Sequence, residues 1–288
     1  MKKTLLFSIS LLLLCSTQAQ DNNNENVRTG WTFGALPSVS FDTDLGFQYG
    51  ALTNIYYFGD GTTYPEYMHS FYVEAAYTTK QYGIFRMSYD SKYLIPDYRI
   101  SLDMAYLPDA MSDFYGFNGY QSNYIPMTEL NDEGYFKYLP DAAGEKLMEK
   151  GKTPKGFYRF SRDLIKAKAD FTGKILDNLY WEAGYNLSWM KTGSFTPNGY
   201  EVFAGNDFEH GTTLFDLYKA WGIIPESQAD GGLTSAIRAG LMDDSRNIEN
   251  NPTKGIWAEA HVIAAPKFLG TTDPHYKFCA TMRQYVPI

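Results

Sequence analysis

The sequence predicts an all-β protein: an antiparallel transmembrane β-barrel with about ten strands present and two long extracellular loops. Three observations lead there. The chain opens with an export signal, aromatic residues make up 17% of it, and apolar and polar residues alternate along ten separate segments. A mean hydropathy of −0.36 is compatible with this fold. A barrel strand needs apolar side chains only at every second position, with aromatic girdles at the two interfaces.

The N-terminus reads MKKTLLFSISLLLLCSTQAQ. Lys2 and Lys3 supply a positive start, Thr4 to Leu14 an apolar stretch, and Thr17 to Ala19 a small-x-small cleavage site. These are the parts of a secretory signal peptide, here residues 1–20, too short to span a bilayer durably. Lipid attachment at Cys15 is the alternative, although Leu14 before it is larger than such sites usually carry. Residues 21–29 then form a short periplasmic N-terminal segment, and the barrel domain begins at residue 30.

The ten segments follow in order. A lipid-facing strand alternates over ~9–11 residues. In the first, Trp31, Phe33, Ala35, Val39 and Phe41 oppose Thr32, Gly34, Ser38 and Ser40. In the second, Phe47, Tyr49, Ala51, Ile55 and Tyr57 oppose Gln48, Gly50 and Asn54. The third sets Phe71, Val73, Ala75 and Tyr77 against Ser70, Glu74 and Thr78; the fourth sets Phe85, Met87 and Tyr89 against Arg86, Ser88 and Asp90. The fifth is the clearest: Tyr98, Ile100, Leu102, Met104 and Tyr106 alternate with Arg99, Ser101, Asp103 and Ala105. The sixth has Ile165, Ala167, Ala169 and Phe171 against Lys166, Lys168, Asp170 and Thr172. The seventh has Trp181, Ala183, Tyr185, Leu187 and Trp189 against Glu182, Asn186 and Ser188. The eighth, near 234–242, has Ile237, Ala239 and Leu241 against Arg238 and Gly240. The ninth has Ile256, Ala258, Ala260 and Val262 against Glu259 and His261, and the tenth Tyr276, Phe278, Ala280 and Met282 against Lys277, Thr281 and Arg283.

A soluble β-sandwich would also alternate. The aromatics at segment ends (Trp31, Phe41, Trp181, Trp189), with small residues between them, favour the barrel. The long connections, about 108–156 and about 192–232, are the fifth and seventh, so both fall on one side. In outer-membrane barrels that side is extracellular, which leaves the N-terminus periplasmic. Within the long connections, 144–152 and 213–222 have the pattern of short helices.

The net charge of −8 argues against nucleic acid as a partner. Outside the signal, Cys279 is the single cysteine, so no internal disulfide frames the fold. Cys279 shares the polar set of the tenth segment and reads as a small filler. Cys and His fall in no zinc spacing, and no cofactor is expected.

Eight charged or titratable residues are expected to face the barrel lumen: Arg99, Asp103, Lys166, Lys168, Glu182, Arg238, Glu259 and His261. Glu259 and His261 lie two apart on one strand face, which permits a proton-transfer pair. A charge-lined lumen accounts for the same residues without chemistry, and no enzyme activity is expected. His210 with Asp207, Glu209 and Asp216 admits a ten-stranded surface protease similar to the omptins, but paired acidic and Asp–His sites do not match in position. Asp243, Asp244 and Glu249 permit a calcium site in oxygen-ligand terms, but their spacing is not that of an EF-hand, and the stretch reads as a solvated acidic turn.

The stretch DDSRNIENNPTKGIW, residues 243–257, falls at the eighth connection, a periplasmic turn. Asp244, Ser245, Arg246 and Asn247, followed by Asn251, Pro252 and Gly255, resemble the mid-barrel turn of the BamA/TamA-like superfamily of outer-membrane barrels (the bacterial surface antigen family). GWTFGALPSVSFDTDLGFQYG resembles the first hairpin of that family, and YDSKYLIPDYRISLDMAY its fourth and fifth strands. The resemblance extends over roughly residues 30–288.

The departures are as informative. Barrels of that family have sixteen strands, their R-G-[FY] motif is absent here, and MRQYVPI lacks a terminal aromatic. The resemblance therefore implies a member without POTRA domains, with a C-terminally incomplete barrel over 30–288. It implies a role in outer-membrane protein assembly, insertion or translocation, with outer-membrane lipid and client outer-membrane proteins as partners. The family mechanism uses a weak seam where client strands add by β-pairing. Pro37 removes a backbone donor from the first strand and would weaken that edge. A passive pore or surface-exposed barrel is the alternative.

Overall fold

The computed structural model describes residues 27–43, 45–117, 158–195, 213–249 and 251–287. The signal peptide, the helix expected at 144–152, and Asp207, Glu209 and His210 lie outside the described residues.

Among the described residues, ten strands form one antiparallel sheet in sequence order: β1 (Trp31–Asp42), β2 (Gly46–Tyr57), β3 (His69–Thr78), β4 (Gly83–Ile95), β5 (Tyr98–Asp113), β6 (Arg159–Lys174), β7 (Leu179–Ser194), β8 (Gly231–Asp244), β9 (Gly255–Ala265) and β10 (His275–Tyr285). Among the described residues each strand pairs with its chain neighbours, so β1 and β10 each pair along one edge. This meander puts every odd-numbered connection, including the long β5–β6 and β7–β8 links, at one end of the sheet.

The register carries the alternation from strand to strand. Val39 pairs with Tyr49, Tyr49 with Tyr77, Met87 with Met104, and Met104 with Ala167. Ala167 continues to Leu187, and Ala239 to Val262 and then Phe278. Because the side-chain period is two, such a ladder places every apolar set on one face.

That face is exposed and the polar one is enclosed, the reverse of a water-soluble sheet. Phe33 is 77% exposed and Phe278 74%. On the opposite face the side chains of Arg238 and Glu182 are only 12% and 7% exposed. Trp181 and Trp189 stand about 26 Å apart along β7 at ~3.3 Å per residue, which at a strand tilt of ~40° is roughly 20 Å of height, most of a barrel's apolar band. Aromatic contacts cluster near both ends. Trp31–Tyr57 and Tyr98–Trp181 (4.8 and 5.9 Å between ring centroids) lie toward one, and Phe85–Tyr106 (6.0 Å) toward the other.

Several strands run beyond their apolar alternation. β5 continues through Pro108 and Asp109 past a register shift before Ser112, and β6 already begins at Arg159. A strand protruding past an apolar band has no need of greasy positions.

A compact aromatic knot caps this end. The helix α1 (Leu214–Ala220) falls inside the stretch 213–222 whose pattern is helical. Thr213 and Asp216 cap it reciprocally: the Asp216 amide donates to Thr213 Oγ1 and the Thr213 amide to Asp216 Oδ2, both at 3.2 Å. α1 packs Phe215 and Tyr218 against Phe114, with ring centroids 5.7 and 5.2 Å away.

Candidate functional site: the enclosed polar face

All eight residues expected to line a lumen fall on the polar face of the sheet, as their register shows. Lys166 pairs with Ala105, Lys168 with Asp103, Thr172 with Arg99 and Glu182, and Gly240 with Glu182 and His261. Arg238 follows two residues before Gly240, and Glu259 two before His261. Lys166 is exposed on that face, whereas the others enter two ion-pair groups or local pairs. Asp103 accepts a two-nitrogen contact from Arg86, at 2.9 and 2.6 Å.

The first group centres on Arg238. Its Nη2 stands 3.1 Å from Asp170 and 3.8 Å from Glu182, and its Nη1 donates to Glu259 at 3.2 Å. Lys168 pairs with Asp170 at 2.7 Å, and His261 Nδ1 lies against the Glu259 carboxylate. Asp170, Glu182 and Glu259 come from β6, β7 and β9, so the group ties strands that are not neighbours.

Two glycines make that reach possible. Gly184 of β7 sits opposite both Asp170 and Arg238. A Cβ there would come within 2.3 Å of Asp170 Oδ1. Gly240 of β8 sits opposite both Glu182 and His261, and a Cβ there would lie 2.5 Å from the His261 Cβ. Each glycine leaves a window through which side chains two strands apart can meet.

The second group answers to the charged stretch 243–257. The β8–β9 turn is built by its own polar side chains. Asn247 Oδ1 accepts the Thr253 and Lys254 amides, both at 3.1 Å, and Ser245 Oγ accepts the Ile256 amide at 3.0 Å. Arg246 clamps Asp244 with two nitrogens (2.7 and 2.6 Å) and donates to the Glu249 carbonyl at 3.0 Å. Gly255 has φ +116, and a Cβ there would fall 2.3 Å from the Ser245 carbonyl oxygen, so only glycine fits. Asn251 is exposed and Pro252 half-buried at the apex.

The turn does not stand free in solvent, as a solvated acidic turn would. It folds back over the sheet so that Glu249 accepts from Lys92 at 2.7 Å and from Arg99 at 2.5 Å, on β4 and β5. Arg99 also holds Asp90 at 2.8 Å, and Asp90 accepts the Tyr67 hydroxyl at 2.9 Å. Burial opposes ionisation of Glu249, but the Lys92 hydrogen bond and the Arg99 charge prevail and hold its carboxyl at about 2. Burial, reinforced by Asp90, pushes the Tyr67 hydroxyl far above its ordinary value.

These contacts bear on the calcium reading of Asp243, Asp244 and Glu249. Asp244 is taken by Arg246 and Glu249 by Lys92 and Arg99. Asp243 alternates to the opposite face, pairing with Ala258.

Between the two groups lies a cavity of about 500 Å³ whose walls come from β4 through β9. Asp90, Arg99, Asp170, Glu182, Arg238 and Glu249 all border it, so the sheet curls around its polar face.

The remaining candidates are placed apart from it. Asp216 is engaged by the α1 cap and by the Ser194 hydroxyl at 2.5 Å. His69 stacks between Tyr57 and Tyr89, and His275 bonds the Asp273 carbonyl at 2.9 Å. Cys279 pairs across the ladder with His261. Sequence reasoning did not single out Asp170 as a site residue, although its parity with Lys168 placed it on the polar face. Lys92, Tyr67 and the role of Gly184 have no local signal: Lys92 meets Glu249 157 residues away, Tyr67 meets Asp90 from another segment, and Gly184 matters through its register partners.

No protein-family model matches the sequence, and no curated protein matches it. Among solved structures, the crystal structure of BamA from Haemophilus ducreyi lacking POTRA domains 1-3 matches with a TM-score of 0.43 and 12% identity. The match covers 99% of this chain and 46% of that one, so the chain spans just under half the length of that structure.

Proposed function

We propose that this chain is an exported outer-membrane β-barrel protein of the BamA/TamA type, acting in the assembly, insertion or translocation of other outer-membrane proteins. The observation that carries the membrane reading is the inverted polarity of the sheet. A continuous apolar face is exposed while Arg238, Asp170, Glu182 and Glu259 are enclosed. In water that face would exceed by far the apolar patches soluble proteins tolerate; in lipid it is the expected surface.

The assembly role rests on the edges. The outer edges of β1 and β10 offer backbone donors and acceptors for strand addition. Pro37, which pairs with Ala51, contributes no amide along β1. Client strands would add there, with lipid as the surrounding partner.

Site-specific cross-linking tests this reading. Photo-reactive residues at alternate positions from 31 to 41 are expected to trap newly exported barrel proteins. Absence of adducts along β1, with the protein present in the outer-membrane fraction, refutes the assembly role. The enclosed charges also support a second reading, a passive aqueous pore. That reading predicts steady ion conductance in planar bilayers and no change in the levels of other barrel proteins when this one is removed.

A further inference from the structure

We infer that Glu182, Glu259 and His261 form a binding site for a divalent transition-metal cation of the zinc type. The ligand-bearing atoms of the three all lie within 4.8 Å of one another, although they come from two strands separated by β8. Zinc bonds of ~2.0–2.3 Å set ligand atoms a little closer than this, so small side-chain rotations close the shell.

Three further observations point to a ligand rather than to charges lining a wall. First, Glu182 is only 7% exposed, and among the described residues its Oε2 accepts no hydrogen bond. The guanidinium of Arg238 stands 3.8 Å from it, beyond hydrogen-bond reach. A buried carboxylate oxygen aimed into a cluster without a donor is costly unless something cationic meets it.

Second, Gly240 lies between Glu182 and His261 in the register and contributes no side chain. A Cβ there would stand 2.5 Å from the His261 Cβ and 2.6 Å from the Ala260 carbonyl oxygen. The space over β8 is therefore kept open where the donors converge.

Third, the charges do not balance. Asp170, Glu182 and Glu259 face Arg238 and Lys168, leaving one negative charge over. A bound cation would offset that charge.

The donor set selects the metal class. Calcium and magnesium favour shells of oxygen alone, whereas an imidazole donor favours zinc and its neighbours. Bound there, the ion would link β7 and β9 across β8.

The test uses the full chain folded in detergent micelles, stripped with a chelator, and titrated with zinc chloride by calorimetry. One saturable equivalent is expected. Glu182→Gln and His261→Asn should each weaken binding about a hundredfold, while replacing His69 and His275 together leaves it unchanged. No saturable binding by the unaltered chain overturns the site. So does binding that persists undiminished in both variants.

Discussion

Replacing Arg238 with methionine removes the one cation that three enclosed carboxylates share. Met keeps most of the stem's packing, so the change is chiefly electrostatic. In the native chain the guanidinium lies 3.1 Å from Asp170, 3.2 Å from Glu259 and 3.8 Å from Glu182. These four side chains are between 7% and 12% exposed, except Glu259 at 14%. Breaking a buried ion pair from one side leaves an uncompensated charge and typically costs ~3–5 kcal/mol. Lys168 still neutralises Asp170 at 2.7 Å, so the lower end, about 3 kcal/mol, is expected. Urea unfolding in lipid vesicles, followed by tryptophan fluorescence, measures this as a lowered midpoint with an unchanged slope. A triple variant, Arg238→Met with Glu182→Gln and Glu259→Gln, should recover much of the loss, because the stranded charges go with their partner. A single variant within ~0.5 kcal/mol of the native chain would refute the view that the group is enclosed and mutually dependent. A triple variant costing more than the single one would do the same.

Three further outcomes are expected. Glu249→Gln should release the β8–β9 turn from β4 and β5, weakening its docking by about 1–2 kcal/mol. The same docking should depend on acid. The Glu249 carboxyl is held below its ordinary 4.5, so its contribution is complete above that pH and is lost as pH falls toward about 2. Spin labels at Ile248 and Leu94, both exposed, should separate over that range in the native turn, and Glu249→Gln should remove the acid step. Gly184→Ala forces a Cβ to within 2.3 Å of Asp170 Oδ1, and a loss of ~1–3 kcal/mol in the same unfolding assay is expected from the displaced side chain. Ile237→Arg places a charge on the exposed apolar face of β8, midway between the levels of Trp181 and Trp189, and should cost ~2–4 kcal/mol in vesicles, but far less in a loop.

The strands and their faces were legible because a period of two is a local property. Tyr98, Ile100, Leu102, Met104 and Tyr106 announce β5 without reference to any other strand, and the register then aligns them with β4 and β6. Strand ends were less legible. The alternation of the sixth segment starts at Ile165, yet β6 starts at Arg159, because polar protruding residues pair just as well. The site was legible only in part. Glu259 and His261 stand two apart on one strand, so their contact follows from strand geometry. Asp170 meeting Arg238 requires knowing that Gly184 lies between them, which no single segment discloses. The turn was read as solvated because its composition is polar. Its docking through Glu249 depends on a partner 157 residues away.

The Gly184 window also bears on how the sheet responds to force. A plain antiparallel meander peels one strand at a time, each ladder opening like a zip. Here Asp170 grips Arg238 past β7. A pull that opened either ladder of β7 would also have to break a bridge spanning both. β6, β7 and β8 therefore behave mechanically as one plate, and among the described residues the peeling edges of the sheet lie at β1 and β10, outside it.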